Sequence, residues 1–202
     1  MKVIQVFDDL IAVPSFIATL AGICEQRHCS EGGNSWIEMR DQYRINCSGY
    51  PGSSQQIIQE YFESILLGVI RPFEFQFSGV EWWCNFNNTL RWHLDKDETL
   101  YYGQQKLSLP LFSTIYYPMV NCHGGELLLH DPTCDPDRLL SGAADPSYDP
   151  TLINEIIRIP PRTNRLVLFS PGILHKINDF AGVRYSLAMN IWDKPPCLFR
   201  SN

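Results

Sequence analysis

This 202-residue chain is short of several things, and each shortage removes a class of function. It has only five histidines and no H-x-H pair, the pattern on which cupin-type metal sites usually rest. Its seven cysteines (24, 29, 47, 84, 122, 134 and 197) are odd in number and scattered, with no C-x-x-C. Zinc-ribbon chemistry and a paired disulfide framework are therefore not expected, and reduced thiols in an intracellular protein are. No apolar run approaches the roughly 20 residues of a membrane span. Asp8 and Asp9 interrupt the N-terminal apolar stretch before a signal-peptide core can form, so the cytoplasm is the expected compartment and no membrane partner is expected. Basic residues number 16 against 22 acidic ones, for a formal charge of −6, which argues against a broad electrostatic grip on nucleic acid. No internal repeat is visible. The sequence does not indicate an oligomeric state.

What the chain does have is ordinary globular composition, 45% hydrophobic and 19% charged, in a length that one domain accounts for. Residues 4–23 are apolar and weakly helical, with Pro14 expected near a boundary. Ser53 lies three residues before Gln56, a capping-box spacing. Beyond it Ile57, Tyr61, Ile65 and Val69, with Ile58, Phe62 and Leu66, make an apolar stripe at helical period that Arg71-Pro72 ends. From Phe73 the period becomes two, and Phe73, Phe75 and Phe77 alternate with polar residues. Short strand-like runs are expected at 80–87, 89–95, 107–117, 125–130, 155–159, 164–169, 173–178 and 183–192, separated by glycine, proline and asparagine turns. Helices followed by about eight antiparallel strands predict a sandwich or jelly roll with a helical flank. Residues 131–150, with five aspartates and four prolines, break the rhythm and read as a lid or a solvated surface excursion.

The chemistry-bearing stretch is Arg91–Glu98. His93 and Asp95, two apart, leave the same face of a strand, and histidine with one carboxylate and open positions suits non-haem iron(II). His175 lies within a late strand run, and a tight turn near Asp179–Gly182 would make 173–178 and 183–192 a hairpin. His175 would then pair across from Arg184, placing the two on one face. On the second strand Arg184, Ser186, Ala188, Asn190 and Trp192 share a side, while Val183, Tyr185, Leu187, Met189 and Ile191 form an apolar side that reads as packing. A buried arginine beside a metal requires an anion: a ligand carboxylate, with the Ser186 hydroxyl as a further donor, or a protein carboxylate such as Glu126.

In this order, His93-x-Asp95, His175 and Arg184-x-Ser186 resemble the iron(II)- and 2-oxoglutarate-dependent dioxygenase superfamily. Tyr116-Tyr117-Pro118 and Gly124-Gly125-Glu126-Leu127 are similar to stretches of its prolyl-hydroxylase-like members. The resemblance covers about residues 73–192. It implies a mainly β fold with flanking helices: a double-stranded β-helix (jelly-roll) core over 73–192, a helical N-terminal buttress over 1–72 and an insertion or lid at 131–150, together one domain over 1–202. It implies Fe(II) held by His93, Asp95 and His175, with 2-oxoglutarate bound through Arg184 and Ser186, dioxygen as co-reactant and ascorbate as a supportive reductant. The implied reaction is hydroxylation of an unactivated C–H bond, with succinate and CO2 as co-products. Asp95 stands where halogenating members carry a small residue, which favours hydroxylation, or desaturation or cyclisation, over halogenation. The superfamily's DNA-repair dealkylases share H-x-D-K-D-E, but the arginine pair they carry farther beyond the distal histidine is absent here. Small size favours a small-molecule, amino-acid or peptide-like substrate, for which Glu81, Trp83, Trp92, Asp97 and Trp192 are the candidate contacts. A jelly-roll metal-binding module without chemistry is the rival, and Arg184 argues against it because a structural metal has no use for an anion clamp.

Overall fold

The computed structural model describes residues 3–29, 33–41, 44–45, 52–85, 91–130 and 156–200. Its described residues form ten strands in two antiparallel sheets and a few helices, and the sheets do not close into a barrel. The larger sheet has the order β1 (Ile4–Phe7), β8 (Arg165–Phe169), β5 (Phe112–Gly124), β10 (Phe180–Trp192), β4 (Gly79–Asn85), β2 (Ser35–Asp41) and β3 (Arg44–Ile45). The smaller has the order β7 (Ile157–Ile159), β6 (Leu127–His130) and β9 (Leu174–Ile177). Ile115, Tyr117, Val167 and Phe169 of the larger sheet pack with Leu127, Leu129, Ile159 and Ile177 of the smaller, so the two sheets face each other as in the expected jelly roll.

The outer face of the larger sheet is covered by helices. Val80, Trp82, Leu187, Met189 and Ile191 pack against Leu20 and Ile23 of α1 (Pro14–Cys29) and Ile58 and Tyr61 of α2 (Ser54–Tyr61). Pro14 is the first residue of α1, where its missing N–H does no harm. Residues 4–7, expected to be helical, instead form β1, whose register runs from Ile4 opposite Phe169 to Phe7 opposite Leu166. At α2, the Ser53 hydroxyl accepts from the Gln56 amide, and Gln56 reaches back to the Gly52 amide, one residue beyond the usual box. The helix then passes through a π-helical turn, Phe62–Leu66, into α3 (Leu67–Ile70). That turn rotates the buried stripe by one residue: Leu66 and Ile70 are buried, where Ile65 and Val69 are only partly so.

Four expectations about strands fail. Residues 74–78 are irregular. Glu74 takes a left-handed conformation after a 3-10 turn (Arg71–Phe73), and the phenylalanines are satisfied by rings: Phe73 and Phe75 pack on Phe112 and Phe77 on Phe62. The described part of 89–95 carries only a single bridge, at His93, and residues 107–111 are not strand. Finally, β9 and β10 are not a hairpin. They belong to different sheets, with His175 opposite Leu129 and Arg184 opposite Val120. The 131–150 segment lies outside the described residues.

Candidate metal centre and its two cavities

His93 reaches the interior through a two-way backbone bridge. The His93 amide donates to the His175 carbonyl at 3.0 Å and the His175 amide to the His93 carbonyl at 2.9 Å. Directly opposed residues send their side chains to one face, and the two imidazole centroids lie 4.2 Å apart. His93 Nδ1 sits 2.8 Å from the Arg91 carbonyl and His175 Nδ1 3.1 Å from the Ile173 carbonyl. A carbonyl only accepts, so each Nδ1 carries the proton and each Nε2 is left with its lone pair, the arrangement that orients a histidine toward a metal. Asp95 completes the group: one donor atom from each of the three residues lies within 4.8 Å of the others. Asp95 Oδ2 is 3.7 Å from His175 Nε2 and accepts a 2.6 Å hydrogen bond from the Ser113 hydroxyl. Burial, with His175 nearby, pulls His93 down to about 4, so its imidazole is neutral at physiological pH. The donor set, two imidazoles and a carboxylate beside open cavities, fits a divalent iron-type ion.

Strand β10 runs past this group with alternating faces. Tyr185, Leu187, Met189 and Ile191 join the helix-facing core, while Arg184, Ser186, Ala188, Asn190 and Trp192 are buried on the other side. Its neighbour β4 pairs Asn85 with Ser186, Trp83 with Ala188 and Glu81 with Asn190, so these six side chains share that face. On the other edge Ser113 is opposite Asn190 and Ile115 opposite Ala188. The register slips between Tyr185 and Leu187, whose β5 partners are Met119 and Tyr116, so β5 bulges at Tyr117-Pro118. A bulge is where a central strand tolerates proline, which has no N–H to give.

Two cavities flank the triad, and His93, Asp95 and Trp83 line both. The smaller, about 70 Å³, is a slot walled by Thr114, Ile115, His175, Ile177, Ser186 and Ala188. Arg184 lies two residues beyond Ser186 on the same strand face and is 1% exposed. It approaches the rings of Tyr117 and Phe180, with centroids 5.5 and 5.1 Å from the guanidinium carbon. Its Nη1 donates to the Gly125 carbonyl at 3.3 Å, while Nε and Nη2 have no hydrogen-bond partner among the described residues, and neither has the Tyr117 hydroxyl. Burial lowers the Arg184 pKa and pushes the Tyr117 phenol up to about 12, leaving both as donors near neutrality. The ion pair with Glu126 is not formed, since Glu126 accepts from Asn178 Nδ2 at 3.0 Å. Gly125 makes room for the arginine. Its φ is +78°, and a Cβ there would meet Phe180 at 3.2 Å and Arg184 Cδ at 3.4 Å.

The larger cavity, about 300 Å³, opens on the other side and includes Glu81, Trp83, Asp97 and Asn190 in its wall. Asp97 already has structural partners, among them a cation, with Arg200 Nη2 3.9 Å from its Oδ2. It is the N-cap of α4 (Glu98–Gln104), with Oδ1 accepting from the Leu100 amide at 2.9 Å and Oδ2 from the Cys197 amide at 2.7 Å. Asp97 thus lines the cleft while both its oxygens serve the fold. Trp92 lines neither of these two cavities: it packs with Leu94, Tyr101, Leu128 and Leu174. Trp192 reaches the cleft only indirectly, by donating from Nε1 to Glu81 Oε2 at 3.2 Å. Ser113, Tyr117 and Asn190 were not singled out from the sequence. The Tyr-Tyr-Pro motif and the β10 alternation were the signals that held two of them, while Ser113 offers none before its pairing with Asp95 is known.

No protein-family profile and no curated relative matches the sequence. Solved structures do match the fold. A prolyl-4-hydroxylase from Pseudomonas putida superposes with a TM-score of 0.58 at 14% identity, covering 95% of this chain and 88% of that one. A Trichoplax adhaerens prolyl hydroxylase, solved in complex with a hypoxia-inducible-factor peptide fragment, gives 0.57 at 15%, covering 98% and 87%. A 2OG-Fe(II) oxygenase-family oxidoreductase from Burkholderia pseudomallei gives 0.57 at 11%, covering 99% and 89%. The chain therefore has the β fold of these oxygenases over nearly its whole length.

Proposed function

We propose that this chain is an iron(II)- and 2-oxoglutarate-dependent oxygenase that hydroxylates a C–H bond of a small-molecule, amino-acid or peptide-like substrate, releasing succinate and CO2. Residues 1–202 are taken as one oxygenase domain. The observation that carries the reading is the conjunction of a His93–Asp95–His175 donor set with a buried guanidinium, Arg184, on the inner side of the facing sheet, that has unspent N–H groups. A metal-binding module without chemistry gives no reason to bury such a cation. The fold shared with 2OG-Fe(II) oxygenases supports it further.

In this reading His93, Asp95 and His175 hold the metal, and Ser113 fixes the Asp95 carboxylate through its 2.6 Å hydrogen bond. Bound iron(II) supplies activation of dioxygen coupled to oxidative decarboxylation of 2-oxoglutarate. Arg184 and the Tyr117 hydroxyl receive the distal carboxylate of the cosubstrate, donors meeting an anion in a water-poor slot, while the Ser186 hydroxyl, which donates to the Asn85 carbonyl at 2.9 Å, would have to exchange that bond to join them. The aliphatic walls at Ile115, Ile177 and Ala188 exclude water from that slot. The substrate enters from the opposite side, through the cleft that Glu81 and Trp83 line.

Incubation with iron(II), ascorbate and 2-oxoglutarate, with succinate measured, tests the reading. Turnover even without substrate is expected. Absence of both binding and turnover of 2-oxoglutarate rejects it.

A further inference from the structure

The ionic groups around the cleft are nearly all accounted for within the protein. Lys96 Nζ contacts Glu98 Oε1 at 2.7 Å and lies over the Tyr101 ring at 5.2 Å, Asp97 caps α4, and Asp95 belongs to the triad. Glu81 is the exception. It is 7% exposed, and its carboxylate meets only neutral donors: Asn34 Nδ2 at 2.6 Å on Oε1 and Trp192 Nε1 at 3.2 Å on Oε2, with Asn190 close by. No cation pairs with it among the described residues. A carboxylate offers about four acceptor positions, so these neutral donors leave it unsaturated and without a counter-charge.

Directly across β4 and β10 from Glu81 stands Asn190, 3% exposed, whose Oδ1 has no hydrogen-bond partner among the described residues. The cleft therefore brings together an unneutralised carboxylate and an unmatched amide oxygen, with the Trp83 indole in the same wall. Both polar groups accept, and an aromatic face also attracts positive charge. A neutral N–H or O–H donor can satisfy both acceptors but leaves the carboxylate charge unbalanced, whereas a cationic N–H donor answers both and neutralises it.

We propose that the cleft selects substrates carrying a positively charged N–H donor, a primary ammonium in the simplest form, seated between the Glu81 carboxylate and the Asn190 side-chain oxygen. The inference rests on the oxygenase reading for its consequence, since the held group orients a neighbouring carbon toward the triad. Burial and the Asp95 charge raise the Glu81 pKa, opposed by its hydrogen bonds from Asn34, Trp192 and Asn190. A cationic ligand opposes that rise.

Calorimetry on the full chain, without metal and with iron(II) and 2-oxoglutarate under anaerobic conditions, would test the selection. The probes are L-lysine, 1,5-diaminopentane and hexylamine, each against its fully N-acetylated counterpart. The amines are expected to bind roughly tenfold or more tightly than their acetylated forms. Glu81→Gln, which mimics a protonated carboxyl, should erase that preference. Asn190→Asp adds a second negative acceptor and should enlarge it, a gain that misfolding cannot imitate. Equal affinities across the pairs, or an unchanged preference in Glu81→Gln, overturn the proposal. The two readings fail separately. Turnover of 2-oxoglutarate without amine preference removes only the substrate class, and amine preference without 2-oxoglutarate binding removes only the oxygenase.

Discussion

The slot and the cleft lie on either side of the same three donors and share Trp83, His93 and Asp95, yet they are built oppositely. The slot is small, its remaining walls are mostly aliphatic or hydroxyl-bearing, and two residues along the same strand face from its Ser186 lies a buried cation with unspent donors, Arg184. The cleft is about four times larger, amide- and carboxylate-lined, with unspent acceptors at Glu81 and Asn190. One strand sets up both. Every second residue of β10 faces inward, so Arg184 and Asn190 are about 20 Å apart along it at the usual rise per residue, with the triad between them. A single extended segment thus offers positive donors at one end and acceptors at the other, which gives the two proposed ligands opposite charge preferences.

Substitutions separate the two sides. The largest effect is expected for Asp95→Ala, which removes a donor common to both cavities: metal affinity should fall by more than about a hundredfold and succinate formation should vanish, read by metal titration and by succinate assay. Arg184→Met acts on the slot alone. Metal binding should persist while the 2-oxoglutarate KM rises steeply, on the order of 2–5 kcal/mol of lost binding. The same variant should melt no lower than the parent without cosubstrate, because it removes a buried, incompletely paired charge. A lower melting temperature with unchanged KM would place the carboxylate elsewhere.

Ser113→Ala leaves all three donors in place but frees the Asp95 carboxylate. Metal affinity should drop by about 10–100-fold, measured by competition with a chelator, with the 2-oxoglutarate KM little changed at saturating metal. The smallest effect is expected for Tyr117→Phe, which deletes one neutral donor from the slot. A rise of about tenfold in the 2-oxoglutarate KM is expected, and amine binding in the cleft should not change. If amine affinity moves with it, the two cavities are coupled and the division between them is wrong.

The inward set on β10 was legible because alternation is a property of the strand itself: Arg184, Ser186 and Asn190 share a face whatever they pair with. The partner of that strand was not legible. A short connection at Asn178-Asp179 looks like a hairpin turn, but here the chain crosses from the small sheet to the large one. The Gly125 amide donates to the Asp179 carbonyl and the Asn178 amide to the Glu126 carbonyl, so the corner is held by the β5–β6 connection. His175 and Arg184 end up in facing sheets rather than on adjacent strands. Asp97 has tertiary partners that were equally hidden. Its acidity beside the metal-ligand pair suggested a substrate contact, but one oxygen caps a helix and the other holds Cys197, 100 residues away in the chain.

The residue types and their spacing were determined by the sequence alone: a His-x-Asp pair, a distant histidine, and Arg-x-Ser on an alternating strand, with the jelly-roll class that follows from short strands after helices. Such features depend on local periodicity and on side-chain chemistry, which travel with the chain. Only the tertiary structure decided that His93 meets His175 through a backbone bridge rather than a continuous strand, and that Ser113 anchors Asp95. Only it left Arg184 and Tyr117 with unmatched donors and Asn190 with an unmatched acceptor. Whether a buried polar atom has a partner depends on what two sheets and a helix layer bring to it from distant parts of the chain, and no local pattern carries that information.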